Sequence, residues 1–288
     1  MVLLASSSHG IVRASTNYVE LIDTLFPDLD AALAAGENLE LMGQLPTKAT
    51  LPVEEVRLFA PVRRPSKIWG VGFAYRDHRA ETDYESSDDA PVIFLKAPSS
   101  VVGPGADIIL PPAAPTMVDY EGELAVVIGR RATAVAEHEA MAYVAGYTIG
   151  NDVSARDVQR GDIEGRPADT STAKSFDTFT PLGPWLATME GLADPQDLAL
   201  RTWVNGDLRQ DARTSQLVYS VPSVLSYLSH QTTLFPGDVI MTGTPGGIGG
   251  RRGLYLRPGD VVRIEIEGIG RLENVIAAAG GDGAADGR

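Results

Sequence analysis

One stretch restricts the fold more than any other: Val118-Asp119-Tyr120-Glu121-Gly122-Glu123, followed without a break by Leu124-Ala125-Val126-Val127-Ile128. Side chains alternate faces along a strand, so Asp119, Glu121 and Glu123 project from one side. Same-face neighbours lie about 6–7 Å apart, close enough for two carboxylates to reach one cation between them. Gly122 leaves the opposite face free for close packing. The run Leu124 to Ile128 has no polar alternation, which predicts a buried strand just beyond the acids. Like charges entering a core are very costly unless compensated, and a divalent cation is the simplest compensation. A strand whose acidic edge faces water satisfies the same pattern.

A second acidic segment bears on that choice. Gly150-Asn151-Asp152-Val153-Ser154-Ala155-Arg156-Asp157-Val158-Gln159 follows the apolar stretch 144–149 and breaks it with polar side chains. Asp152 can supply a third oxygen from a separate element, although Asn-Asp and Ser-x-x-Asp are also ordinary turn and capping signals. The chain has no cysteine and four histidines. Disulfides, thiolate ligands and a Cys nucleophile are therefore excluded, and an oxygen site suits a hard ion such as Mg2+, Mn2+ or Ca2+.

Charge narrows the partners. A formal net charge of −14 argues against a nucleic acid or an anionic membrane, both of which need a basic surface. It does not exclude an anionic small substrate, because a metal ion and a few Lys or Arg reverse the field locally. No run reaches the roughly 18 apolar residues that cross a bilayer, and the expectation is a cytoplasmic globular protein.

The 288 residues divide into a small leading module over 1–60, a catalytic region over 61–278 and a flexible tail over 279–288. In the leader, Leu29, Ala32 and Leu33 follow Asp28 at helical spacing, with Gly36 as the stop. From Ser66 onward, short β-branched runs separated by Gly and Pro predict strands at 68–71, 92–95, 124–128, 239–242 and 261–266. Val221, Val224, Leu225 and Leu228 predict a helix, and a short one is expected around 136–144. This is an α+β chain dominated by strands.

The ordered set Asp119-Tyr120-Glu121-Gly122-Glu123-Leu124, Asn151 to Gln159, Lys174-Ser175-Phe176-Asp177-Thr178-Phe179 and Thr242-Gly243-Thr244-Pro245 resembles the fumarylacetoacetate hydrolase superfamily over roughly residues 60 to 278. Gly70-Val71-Gly72-Phe73-Ala74-Tyr75-Arg76-Asp77-His78-Arg79-Ala80-Glu81 resembles its acylpyruvase-like and 2-hydroxyhepta-2,4-diene-1,7-dioate isomerase-like branch. The resemblance implies a roll of stacked mixed β-sheets, a homodimer, and one Mg2+ or Mn2+ per chain on Glu121, Glu123 and Asp152, with Ca2+ as a substitute.

It also implies roles. His78 and Glu81 form a lid dyad that activates water, and their i, i+3 spacing puts both on one face of a helical turn. Residues 79–90 read as the lid itself, or as an ordinary solvated loop. Lys174 faces a developing oxyanion. Tyr75, Arg156, Gln159 and Thr244 meet the substrate, although Arg156 reads equally well as a salt-bridge partner of Asp157 or a neighbour. The segment 161–173 is acidic and Ser/Thr-rich where relatives carry an aromatic residue, a departure that touches the substrate pocket. The expected reaction is hydrolysis of a C–C bond in a small 1,3-diketo acid of the acylpyruvate or fumarylpyruvate type, through an enolate held by the metal. Oxaloacetate decarboxylation and isomerisation or dehydration of a 2-oxo acid are the alternatives on the same site. A metal-stabilised binding protein without catalysis is the reading from another class.

Overall fold

The computed structural model describes residues 2–15, 18–85, 90–190, 192 and 194–279. Its main sheet runs, edge to edge, through strands Thr47–Pro52, Tyr18–Ile22, Gly10–Ala14, Leu3–Ser7, Thr180–Thr188, Val144–Asn151, Gly122–Ile128, Val239–Met241, Ile68–Gly72 and Val92–Lys96, with Val101–Val102 paired to Thr180–Thr188 on the side. A second sheet holds Asp207–Arg213, Ala199–Val204, Val261–Ile266, Gly270–Ala277 and Ile108–Ile109. The chain is α+β and strand-rich, with mixed sheets, as its β-branched runs predict.

The core sits between these sheets because Gly122–Ile128 is buried along its whole length. Leu124, Val126 and Ile128 face one cluster, which includes Ile149, Leu200 and Ile264. Ala125 and Val127 face another, shared with Leu4, Leu182 and Met241. The sheets approach closely at Gly122: a Cβ there would collide with the Thr202 hydroxyl and come within 3.3 Å of Gln210 Oε1. That crowding explains a glycine between the two glutamates.

The leading module is joined to the rest by hydrogen bonds. Leu3–Ser7 pairs antiparallel with Thr180–Thr188, so the first strands extend the main sheet. The leader's helix is Leu29–Ala34, capped by the Asp28 carboxylate, which accepts from Ala31 N at 2.8 Å. Val221–Gln231 is the longest helix among the described residues, and the turn expected near 136–144 is a 3-10 helix over Glu137–Tyr143. Among the described residues no helix is long and apolar enough to cross a membrane. Of the expected lid, 86–89 lie outside the described residues, as do 280–288 of the expected tail.

One expectation needs correction. Asp119, Glu121 and Glu123 do not lie on one continuous strand. The chain leaves the ladder at Tyr120 and Glu121, and Val118–Asp119 pairs separately with Ser154–Ala155. The break has a local cause: the Asn151 side chain accepts from Glu121 N at 3.0 Å, and Asp152 N donates to Glu121 O at 2.8 Å. These bonds bring the Asn151-Asp152 bend against the acids and turn Asp119 away from them.

Candidate active site

Glu121, Glu123 and Asp152 converge: one carboxylate oxygen from each lies within 4.8 Å of the others, and all three residues are buried. The two glutamates come from the start of the central strand and Asp152 from the end of its neighbour Val144–Asn151. Around them lie three buried cations. Lys174 Nζ donates to Glu121 Oε2 at 2.8 Å and to Asp152 Oδ2 at 2.7 Å. Arg156 Nη2 lies 2.6 Å from Glu121 Oε1, and its Nε donates to Asp119 Oδ2 at 2.8 Å. Lys96 Nζ donates to Asp152 Oδ1 at 2.6 Å and to Phe179 O at 3.1 Å.

The electrostatics divide the acids. Burial pushes the Glu121 carboxyl up, but the charges of Lys174 and Arg156 outweigh it and hold it at about 2. Burial, Asp152 and Glu121 all push Glu123 well above the usual carboxylate range, against only Lys174 and a 2.7 Å bond from Gly243 N. Four buried carboxylates, counting Asp119, thus face three cations, and Glu123 is left with the excess charge. A divalent cation fits this cluster: its donors are all oxygen, and it would supply the charge that Glu123 lacks. Burial lowers Lys96, with Asp152 opposing. Lys174 is raised, because Asp152 and Glu121 outweigh its burial.

A cavity of about 320 Å³ opens beside the acids, lined by His78, Glu121, Arg156, Gln159, Lys174 and Thr244 together with Phe73, Phe94 and Ile248. His78 sits on the helix Arg76–Thr82 and stacks near Phe73, ring centroids 5.8 Å apart. Its Nδ1 is buried without a hydrogen bond and lies 3.6 Å from Glu81 Oε2, which accepts from Gly247 N at 3.1 Å. Burial lowers the His78 imidazole below its ordinary 6.5, outweighing the pull of Glu121 and Glu81.

Gln159 accepts from Arg156 Nη1 at 2.9 Å. The Thr244 hydroxyl donates to Gly122 O at 3.0 Å and accepts from Gln210 Nε2 at 2.8 Å, so its proton is already committed. Tyr75 lies near enough to Glu123 for that carboxylate's charge to act on its hydroxyl. Its backbone bridges Leu217, its side chain is fully buried with the hydroxyl unpartnered, and it does not line the cavity. Arg156 is a salt-bridge partner of Asp119 and Glu121 rather than of Asp157. His9, His138 and His230 are exposed, and none of them lines the cavity.

Sequence reasoning missed Lys96, which closes the apolar strand Val92–Lys96; a lone lysine at the end of such a run was the available signal. It also missed Asp119 as an anchor. That carboxylate accepts from Gly249 N and Gly250 N, each at 2.8 Å, and fixes the turn facing the cavity.

Residues 67–277 match the family described as fumarylacetoacetate (FAA) hydrolase C-terminal. The chain belongs to the fumarylacetoacetate hydrolase family. Among its relatives, the mitochondrial oxaloacetate tautomerase FAHD2A of Homo sapiens is 42% identical over 255 residues, covering 88% of this chain and 79% of that protein. The 2-hydroxyhepta-2,4-diene-1,7-dioate isomerase of Mycobacterium marinum superposes with a TM-score of 0.78 at 36% identity, over 97% of this chain and 100% of that one. A fumarylacetoacetate hydrolase from Exiguobacterium antarcticum superposes with a TM-score of 0.81 at 34% identity, over 96% of this chain and 100% of that one. Family members with these names catalyse tautomerisation, isomerisation and hydrolysis on the same fold.

Proposed function

We propose that this chain is a divalent-metal-dependent enzyme that interconverts the keto and enol forms of a small 2-oxo acid, with oxaloacetate as the first substrate to test. The observation that carries the reading is that Glu121, which belongs to the buried acid cluster, and His78, whose Nδ1 turns toward a carboxylate, line one cavity. The name of the human relative supports the choice of substrate.

Glu121, Glu123 and Asp152 would hold Mg2+ or Mn2+, which would supply Lewis acidity to the 2-oxo acid end of the substrate. His78, neutral because burial lowers its pKa, takes the proton from C3 through the ring nitrogen not turned to Glu81. Glu81 stabilises the imidazolium so formed, and the same proton returns to the enol oxygen. Lys174, held by two carboxylates, places a fixed positive charge beside the oxygen that gains electron density. Phe73, Phe94 and Ile248 exclude water from the apolar side of the cavity.

A second reading is hydrolysis of a 1,3-diketo acid, with the dyad activating water. The cavity volume favours it, because about 320 Å³ exceeds what a four-carbon acid fills. A homodimer is part of either reading and is checked by light scattering.

The test is ketonisation of enol-oxaloacetate, followed by its ultraviolet absorbance with Mg2+, with Mn2+ and after EDTA, alongside cleavage of acetylpyruvate and fumarylpyruvate. Acceleration that disappears with EDTA, in Glu123→Ala and in His78→Ala supports the tautomerase. Metal-dependent diketo cleavage without ketonisation replaces it by the hydrolase.

A further inference from the structure

The cavity wall carries four cations, and two of them have no part in holding the acid cluster. Arg156 and Lys174 are tied to Asp119, Glu121 and Asp152. Among the described residues Arg160 has no carboxylate partner, and its guanidinium donates to Gly250 O alone, at 3.3 Å. Arg251 donates to Glu81 O at 2.9 Å, and its one ion pair among the described residues is a 3.3 Å contact with Asp83, which is 92% exposed. An exposed pair of that kind contributes little and exchanges readily with a ligand carboxylate. In a chain of net charge −14, two available guanidiniums on one wall are a local reversal of the protein's field.

Their placement follows from two elements meeting at one glycine. Arg156 and Arg160 open and close the helix Arg156–Arg160, so they share a face, with Arg160 about 6 Å along the helix axis from Arg156, four residues at about 1.5 Å each. The turn Gly249–Arg251 crosses this face. A Cβ at Gly250 would sit 3.2 Å from Arg156 Nε and 3.2 Å from Arg160 Nη2, tighter than ordinary contact. Glycine here lets both guanidiniums pass the turn, and Arg160 and Arg251, from the two elements that meet there, line the same cavity.

We propose that Arg160 and Arg251 form an anion subsite that takes the distal carboxylate of a 2-oxo dicarboxylic acid, so that the site selects diacids over monoacids of the same length. This rests on the reading of the acid cluster as the seat of the 2-oxo acid end, and it names the substrate class within that reading. Guanidinium pairs suit this task because each presents a planar fork matched to a carboxylate.

The test is calorimetric binding to the Mg2+-loaded protein of malate and of 2-hydroxybutyrate. These differ only in the distal carboxylate against a methyl group, and neither enolises. Malate binds at least about tenfold more tightly, the return of one charge-assisted contact. Arg160→Gln collapses that ratio while leaving 2-hydroxybutyrate affinity unchanged, and Arg160→Lys restores part of it. Arg251→Gln lowers the ratio too, with an added effect on the dyad through Glu81 O. Equal affinity for the two probes, no malate binding, or a ratio unmoved in both glutamine variants overturns the proposal. Loss of oxaloacetate turnover with the ratio intact instead overturns the tautomerase and leaves the subsite standing.

Discussion

Lys96 Nζ lies 2.6 Å from Asp152 Oδ1 with neither side chain reaching solvent, so one of the three acids is fixed from behind by a cation that does not line the cavity. Removing Lys96 leaves Asp152 short of a partner and the Phe179 carbonyl without this donor. A buried pair broken on one side costs on the order of 3 kcal/mol. Lys96→Met therefore lowers the unfolding free energy of the metal-free protein, read from urea denaturation, by about that amount. Saturating Mg2+ restores part of the loss, because it binds the folded state alone. A loss below about 1 kcal/mol would mean that the pair behaves like an exposed one.

Glu123 predicts the opposite sign. It is the acid with the least compensation, raised well above its ordinary 4.5 by burial and by Asp152 and Glu121. A raised carboxyl keeps its proton in the folded state where the unfolded chain has lost it. Metal-free stability therefore falls as the pH climbs above 4.5, until the folded-state pKa is passed. Glu123→Gln removes that slope and makes the metal-free protein more stable at neutral pH, by about 1 kcal/mol or more. The same change weakens Mn2+ binding by more than about 100-fold, since even outer partners of ligands are worth 10–100-fold. Paired denaturation and metal titrations across pH check both halves, and a variant that is less stable without metal would contradict the charge imbalance.

The acid cluster and most of the central strands were legible because their signals are local. Glu121 and Glu123 flank a glycine and run into five apolar residues, and Asp152 breaks a second apolar run. Strands such as Ile68–Gly72 and Val261–Ile266 announce themselves as β-branched runs between turns. What escaped depends on distance. Leu3–Ser7 pairs locally with Gly10–Ala14, but it joins the main sheet only because Thr180–Thr188 offers it an edge, with Leu3 opposite Ala187. Lys96 meets Asp152 and Phe179 across 56 and 83 residues, so no spacing rule finds it. Asp119 misled for a different reason: alternation presumes an unbroken strand, and the Asn151 side chain breaks this one at Glu121.

The dyad sets an expectation for pH. Burial lowers His78 below 6.5, so the neutral base persists further into acid than in a free histidine. The acid limb of kcat/KM for enol-oxaloacetate therefore falls at a pH below 6.5. Glu81 favours the protonated imidazole, so Glu81→Gln moves that limb lower still and reduces kcat. His78→Gln removes the limb and lowers kcat by about 10²–10⁴-fold. A limb at or above 6.5 that survives His78→Gln would assign the base to another group.

Asp119 ties the cavity wall together without touching the acid cluster through its own oxygens. One carboxylate accepts from Gly249 N and Gly250 N and pairs with Arg156, which reaches on to Glu121. Asp119→Asn keeps the shape but loses the charge, and its amide cannot accept at both oxygens. The turn Gly249–Arg251 is then held less firmly, and Arg156 keeps only Glu121 as its carboxylate partner. Because Arg251 belongs to that turn and Arg160 donates to Gly250 O within it, the expected result is a rise in KM of about tenfold or more with a smaller change in kcat, the mark of lost positioning rather than lost chemistry. Metal affinity changes little, since Glu121, Glu123 and Asp152 keep Lys96 and Lys174. An equal fall in kcat and kcat/KM, or a large loss of Mn2+ affinity, would place Asp119 in the reaction itself.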